Sequence, residues 1–211
     1  NPIMKNILTL FSRNLDWPLR LTKLDTSKSI SPSISRHMKH LLTLLALLFF
    51  TTSLNAQEDL PASESKAVVT EVQEMMTAFN DGNSELLIKN THPVIHNLVG
   101  GQENFEKTTA QGVKQIMEMG IKIGELKVEQ PSQFYKAGDE IVCFVPMSSV
   151  MTIKDQKVAS NSFMIAAKGE TGEWKYLDGT FVNTNPDQLW AFFPELPKDI
   201  KLPEVKIEPL P

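Results

Sequence analysis

The chain has 211 residues, of which 41% are hydrophobic and 22% are charged, as in folded domains and unlike disordered chains. After residue 56 it contains 14 lysines, no arginine and 23 acidic residues, a formal charge of −9 that predicts neither nucleic acid nor an anionic membrane as a partner. The single cysteine, Cys143, excludes an intramolecular disulfide and a multi-cysteine zinc site.

Residues 38–56 have the three parts of a secretory signal peptide. A short cationic start at Met38 precedes the apolar run LLTLLALLFF, and a small-residue stretch ends at Ala56. The apolar run is too short for a membrane-spanning helix, which needs roughly 20 residues. We therefore expect a secreted or periplasmic protein with no stable membrane anchor after cleavage. An uncleaved anchor using residues 41–54 is the alternative.

Residues 1–37 are basic and Ser-rich and show no sustained apolar period. We interpret them as an upstream extension, with Met38 as the true start. An organelle transit segment, which has a similar composition, is the alternative. Residues 57–65 form a polar lead to the folded domain.

The next part of the chain predicts helices. Apolar residues from Val68 to Phe79 recur at helical spacing, and a second short helix follows with Ser84 as its cap. VIHNLV (94–99) is short and β-branched, which predicts a strand. A third helix is expected from Gln102 to about Met119. Its Gly112 lowers the stability of the helix by about 1 kcal/mol relative to Ala, and a close approach of the helix to the sheet would explain a glycine there.

From Ile121 the apolar period changes to two, as in strands. Gly124 interrupts the alternation and predicts a bulge, and Pro146 predicts an edge or a second bulge. Three strands between residues 140 and 182 are joined by turns at Asp155-Gln156 and at 169–172. Helices followed by a long, curved antiparallel sheet define the α+β class.

The C-terminal part, residues 183–211, predicts a short helix and a Pro-rich tail. The helix starts at Asn185-Pro186 and carries an aromatic cluster at 189–193. The tail alternates Pro with charged residues, and we expect it to run extended over the surface without packing.

This order of elements resembles the nuclear transport factor 2-like superfamily, including its ketosteroid-isomerase-like and SnoaL-like members. The resemblance covers residues 66–182 and includes FNDGN, a His-Pro strand, a G-G-x-E-x-F helix and the last strand, GEWKYLDG. It implies a cone-shaped α+β barrel in which the sheet wraps the N-terminal helices around an apolar pocket. It also implies frequent homodimers and diverse functions, many of them non-catalytic, so the fold alone does not decide the chemistry.

His96 is a candidate general base at the mouth of the cone, because imidazole titrates near neutrality. The alternative is a partly buried strand residue that donates to a backbone carbonyl. If residues 92–98 are extended, His92 and His96 share a face. No third ligand accompanies them, and Pro93 interrupts their helical spacing, so we expect no metal.

Asp178 is the second candidate base, because it shares a strand face with Trp174 and Tyr176. In apolar surroundings its carboxylate would have a raised pKa and could abstract a proton next to a carbonyl. The alternative is a turn residue in Asp178-Gly179 that accepts from backbone amides. The chain lacks a clear match to the Tyr/Asp oxyanion pair of the isomerases.

The predicted pocket contains one histidine, one cysteine and four aromatic residues: His92, Tyr135, Cys143, Trp174, Tyr176 and Trp190. Cys143 fits a small core residue better than a nucleophile. We expect a small apolar ligand, no cofactor, and a non-catalytic binding or accessory module. The alternatives are a cofactor-independent isomerase, cyclase or dehydratase, and a dimeric protein-interaction module.

Overall fold

A computed structural model describes residues 62–153 and 156–210; the predicted extension, the signal peptide and most of the polar lead lie outside them. The helices are α1 (Ala62–Asn80), α2 (Glu85–Asn90), α3 (Pro93–Leu98), α4 (Gln102–Glu118), α5 (Gly179–Thr184) and α6 (Asp187–Phe192). The strands are β1 (Lys122–Val128), β2 (Phe134–Ala137), β3 (Glu140–Ile153), β4 (Gln156–Lys168), β5 (Trp174–Asp178) and β6 (Lys206–Pro209). Among these described helices, none has the length and hydropathy that crossing a membrane requires.

The six strands form one curved antiparallel sheet built on the long β3–β4 hairpin. β3 pairs with β4 over 13 consecutive positions, from Ile141–Lys168 to Ile153–Gln156. β2 and β1 pair with successive stretches of the edge of β3 that faces away from β4. β5 and β6 pair in the same way with the edge of β4 that faces away from β3. The predicted α+β class is confirmed, whereas wrapping of the sheet into a cone stays a prediction.

The predicted bulge in β1 is confirmed. Ile123 pairs with Met151 and Leu126 with Ser149, so β1 has one residue more than β3 in between. A Cβ at Gly124 would lie 3.2 Å from the carbonyl oxygen of Val150, which is close for any side chain. The glycine therefore lets β1 approach β3 at the bulge.

Pro146 occupies a local edge of the sheet, as predicted. On the side of β3 away from β4, β1 ends opposite Met147 and β2 starts opposite Cys143. The carbonyl of Pro146 accepts from the Glu129 amide in this gap at 2.8 Å. A backbone N–H at position 146 would point to the same gap. Proline has no N–H, so no hydrogen bond of the ladder is lost here.

The turns of the meander lie within one residue of their predicted positions, because Gln156 of the predicted Asp155-Gln156 turn already belongs to β4. Ile153 pairs with Gln156, so two residues connect β3 to β4, and Asp155 lies outside the described residues. The amide of Gly172 donates to the carbonyl of Gly169 at 3.0 Å, with Gly172 at φ 73°. A positive φ favours glycine, which explains its place in this turn.

The predicted strand at 94–99 is wrong, because these residues lie in and just after α3. Pro93 takes the first position of that helix, where a missing N–H is not needed. The segment is joined to the sheet just before α3, where Thr91 and Tyr176 form a parallel bridge and the His92 amide donates to the Tyr176 carbonyl at 2.9 Å. The β-branched composition of this segment favoured a strand, but the Pro-initiated helix prevails.

The predicted cap of α2 also differs in detail. Ser84 occupies the N-cap position without a side-chain cap bond. The carboxamide oxygen of the preceding Asn83 accepts from the Glu85 amide at 2.8 Å. Asn83 therefore satisfies the amide of the first helical residue, which an N-cap side chain at Ser84 would leave free.

One face of the sheet is covered by α1. Its Val68, Val72 and Met75 are at most 1% exposed, and their spacing places them on one side of the helix, as predicted. They pack with sheet residues that alternate along β3, β4 and β5, namely Cys143, Val145, Met164, Ala166, Trp174 and Tyr176, and with Phe134 of β2. These residues define the helix-covered face.

The opposite face is covered by the C-terminal segment, which corrects the prediction of an unpacked tail. Leu189, Phe193 and Leu196 are at most 2% exposed. They pack on Ala137, Val142, Phe144, Phe163, Ile165, Ala167, Leu177 and Val182. The chain then returns to the sheet as β6. We call this second side the tail-covered face.

The expected reason for Gly112 is wrong. Among the described residues, no atom outside the backbone of α4 lies within 4 Å of a Cβ built at this position. α4 buries Phe105 and Val113 and packs mainly against α2 and α3. Gly112 therefore has no close neighbour that requires a glycine.

Glu64 links the first turn of α1 to the sheet. Its carboxylate accepts from the Lys168 ammonium at 2.9 Å and from the Trp174 indole at 3.1 Å. The hydrogen bond from Lys168, followed by that from Trp174, holds the pKa of Glu64 below its ordinary value of 4.5.

This lowered pKa predicts a loss of stability in acid. A carboxyl with a depressed folded-state pKa stabilises the fold fully above about pH 4.5 and loses that contribution as the pH falls through the folded pKa. We expect the free energy of unfolding of wild type to exceed that of Glu64→Gln at pH 7, with the difference shrinking below pH 4.5. Urea denaturation at several pH values measures it. A difference independent of pH would contradict this role.

Candidate functional site

Asp178 lies at the end of β5 and caps α5. Its carboxylate accepts from the backbone amide and the hydroxyl of Thr180, both at 2.8 Å. Desolvation raises the pKa of this carboxyl, and both bonds from Thr180 oppose the rise. The residue is nevertheless exposed to solvent, which limits the effect of desolvation on this carboxyl. Asp178 therefore accepts from a backbone amide, as expected if it is a turn residue and not a base.

His92 connects α3 to the sheet. Its Nδ1 accepts from the Val94 amide at 3.2 Å, which leaves Nε2 to donate to Glu140 at 3.1 Å. The ring also lies edge-on to Phe193, with centroids 5.6 Å apart. Both ring nitrogens are therefore engaged, and neither is free to take a proton from a substrate.

His96 lies one turn further along α3. Its ring packs against Phe105 of α4, with centroids 4.7 Å apart. Within the described residues its Nε2 is buried and has no hydrogen-bond partner. No carboxylate contacts this nitrogen there, so nothing orients the imidazole as a base.

Three residues of the predicted pocket belong to the packed helix-covered face. Cys143 is fully buried, and burial raises the pKa of its thiol to about 12, so it stays protonated at neutral pH. Trp174 is 5% and Tyr176 1% exposed. The Tyr176 hydroxyl donates to Glu71 of α1 at 2.9 Å. Desolvation, followed by the bond to Glu71, raises the pKa of this phenol.

Tyr135 instead lines an open cleft of about 460 Å³ on the tail-covered face. The cleft lies between β2, β3 and the segment 197–203 that follows α6. Its apolar wall consists of Tyr135, Phe144, Pro146, Pro197, Ile200 and Pro203. The rings of Tyr135 and Phe144 have centroids 5.8 Å apart. The size and apolar wall of this cleft suit a small organic molecule.

Trp190 supports the cleft from the C-terminal side. It is half-buried against the tail-covered face, and its indole N–H donates to the carbonyl of Pro197 at 3.4 Å. Pro197 is part of the cleft wall. Trp190 thereby helps to hold the wall in place without lining the cleft itself.

Polar groups line the rest of the cleft. These are Ser132, Gln133, Lys136, Asp199 and Lys201. The Tyr135 hydroxyl donates to the side-chain oxygen of Gln133. Desolvation, and secondly the nearby Asp199 carboxylate, raises the pKa of Tyr135. The phenol therefore stays protonated at neutral pH.

The six predicted pocket residues do not form one site. Cys143, Trp174 and Tyr176 belong to one face of the sheet, and Tyr135 and Trp190 to the other. The charged groups of the cleft were missed, because residues 199–201 are far from β2 in the sequence. The signal that could have found them is the apolar spacing of the tail, where Leu196 and Ile200 indicate a packed segment.

In comparisons with known proteins, the chain matched no family model and no curated protein sequence. Among the described residues, no group of three or more His, Cys, Asp or Glu side chains could hold a metal ion. The assignment of function therefore depends on the geometry of this chain.

Proposed function

We propose that this protein is a non-catalytic module that binds a small molecule with an apolar body in the cleft beside Tyr135. The observation that carries the proposal is the cleft itself, about 460 Å³ in volume, with Tyr135 and Phe144 in its wall. Aromatic side chains offer a ligand a large contact area at a small cost in conformational entropy.

The contacts of the candidate bases support a non-catalytic role. Asp178 accepts two hydrogen bonds from Thr180, and His96 packs against Phe105 with its Nε2 buried, where no substrate reaches it. A general base must reach a substrate proton with a free lone pair. Neither group lines the cleft, so a bound molecule there would meet no base among them.

The proposal includes the nuclear transport factor 2-like resemblance and export through the signal peptide. Support for the family comes from the order of elements, with helices before an antiparallel meander. In this proposal the sheet wraps α1 as a cone, and the cleft lies outside that cone. A homodimer is also expected, and size-exclusion chromatography with light scattering measures it.

A neutral aromatic probe, 1-naphthaleneacetamide, tests the cleft. At about 0.3 kcal/mol per non-hydrogen atom, a probe of about 14 such atoms should bind with a Kd of about 1 mM. Saturation-transfer NMR detects binding in this range. We expect Ser132→Trp, which places an indole at the rim of the cleft, to abolish the signal.

The matched control is Ser63→Trp, which places the same side chain on the exposed first turn of α1. It should bind the probe like wild type. Equal binding by both Trp variants, or no binding by wild type, would overturn the cleft as the site.

A further inference from the structure

Two exposed residues that line the cleft carry opposite charges. Asp199 and Lys201 both belong to the segment after α6. Lys136 also borders the cleft, but its side chain points to the helix-covered face, because Tyr135 and Ala137 on either side of it point to the tail-covered face. One carboxylate and one ammonium group therefore remain in the lining, and their charges cancel.

These two opposite charges are not paired with each other. Within residues 62–153 and 156–210, neither Asp199 nor Lys201 takes part in a salt bridge. The Asp199 carboxylate lies near the Tyr135 phenol, where it is, after desolvation, the second cause of the raised pKa of that group. The cleft therefore presents a hydrogen-bond acceptor, Asp199, and a donor, Lys201, which are both exposed to solvent.

We propose that the ligand of this cleft is an uncharged molecule with an aromatic or alicyclic body and an amide or alcohol group. The inference depends on the proposed binding function and adds the chemical class of the ligand. The body packs on Tyr135 and Phe144. The amide or hydroxyl group donates to Asp199 and accepts from Lys201.

The opposite charges of the lining favour an uncharged ligand over an ion. A carboxylate is attracted by Lys201 but repelled by Asp199, and an ammonium group is attracted by Asp199 but repelled by Lys201. Either ion also loses part of its hydration on binding. An amide or a hydroxyl group donates one hydrogen bond and accepts another, so it satisfies both side chains without this repulsion.

Three naphthalene compounds of similar size test this class: neutral 1-naphthaleneacetamide, the anion 1-naphthaleneacetate and the cation 1-naphthaleneethylammonium. A polar contact between exposed charged groups changes affinity by about 2- to 5-fold. The titrations use about 0.15 M NaCl, which screens the charges of the rest of the domain. Under these conditions we expect the amide to bind about 2- to 5-fold more tightly than either ion.

The matched variants are Asp199→Leu, Lys201→Met and a control, Lys198→Met, at an exposed position of the same segment that does not line the cleft. Each cleft variant should lose about 2- to 5-fold in amide affinity, because one hydrogen-bond partner is removed. Asp199→Leu should bind the acetate, and Lys201→Met the ammonium compound, more tightly than wild type. The control should change none of these affinities.

The outcomes separate the ligand class from the binding function. An ion that bound wild type at least as tightly as the amide would overturn the uncharged class and leave the binding function intact. Unchanged amide affinity in either cleft variant would also overturn that class. Failure of all three compounds to bind wild type would overturn both proposals.

Discussion

Replacing Gly179 with Ala is expected to lower the free energy of unfolding by about 3 kcal/mol or more. A Cβ at this position would lie 2.4 Å from two ring atoms of Phe163 and 2.5 Å from its carbonyl oxygen. Phe163 is fully buried between the sheet and the C-terminal segment, so neither its ring nor its backbone has room to move. Overpacking of this kind forces side chains off their rotamers and shifts the backbone.

The same substitution at Gly112 is the control. No atom lies within 4 Å of a Cβ there, and Ala is a better helix former than Gly by about 1 kcal/mol. Urea denaturation should show Gly112→Ala to be more stable than wild type by up to that amount. If both Ala variants changed stability in the same direction, Phe163 would not pack against Gly179 as described.

Phe193→Ala is expected to cost about 3 to 5 kcal/mol of stability. Phe193 is 1% exposed and belongs to the tail-covered face, where it also contacts the ring of His92. Truncation leaves a cavity that the neighbouring strands and helices cannot close. The variant is therefore expected to unfold at a much lower urea concentration.

The neighbouring Phe192 offers a matched control. It is half-buried and stacks on Phe181, with centroids 6.1 Å apart. Phe192→Ala should lose about 1 kcal/mol, since aromatic pairs with partial exposure contribute in that range. Equal losses from both Phe→Ala variants would show that the C-terminal segment does not pack as described.

The sequence predicts well those elements whose pattern depends on local periodicity. α1 and the β3–β4 hairpin follow from apolar spacings of 3.6 and 2 residues. The bulge follows from Gly124, which interrupts the alternation of apolar residues. α3 was mistaken for a strand, because a β-branched composition outweighed Pro93 as a helix start. For six residues, local composition does not distinguish these two states.

The candidate cleft was only partly predictable. Tyr135 was among the predicted pocket residues and lines the cleft. Asp199 and Lys201 reach the cleft only because the C-terminal segment packs over the sheet, and that packing depends on contacts distant in sequence. The alternation of Pro and charged residues in this segment predicted an unpacked tail, although Leu196 and Ile200 pack against the sheet.

Titration of 15N-labelled protein with 1-naphthaleneacetamide, followed through the backbone amide chemical shifts, tests the central claim most directly. The account predicts shift changes confined to residues 132–136 and 199–201, on the tail-covered face. Changes centred on residues 68–75 and 174–176 would instead place the ligand between α1 and the sheet. That result, or no change in either region, would contradict a binding cleft beside Tyr135.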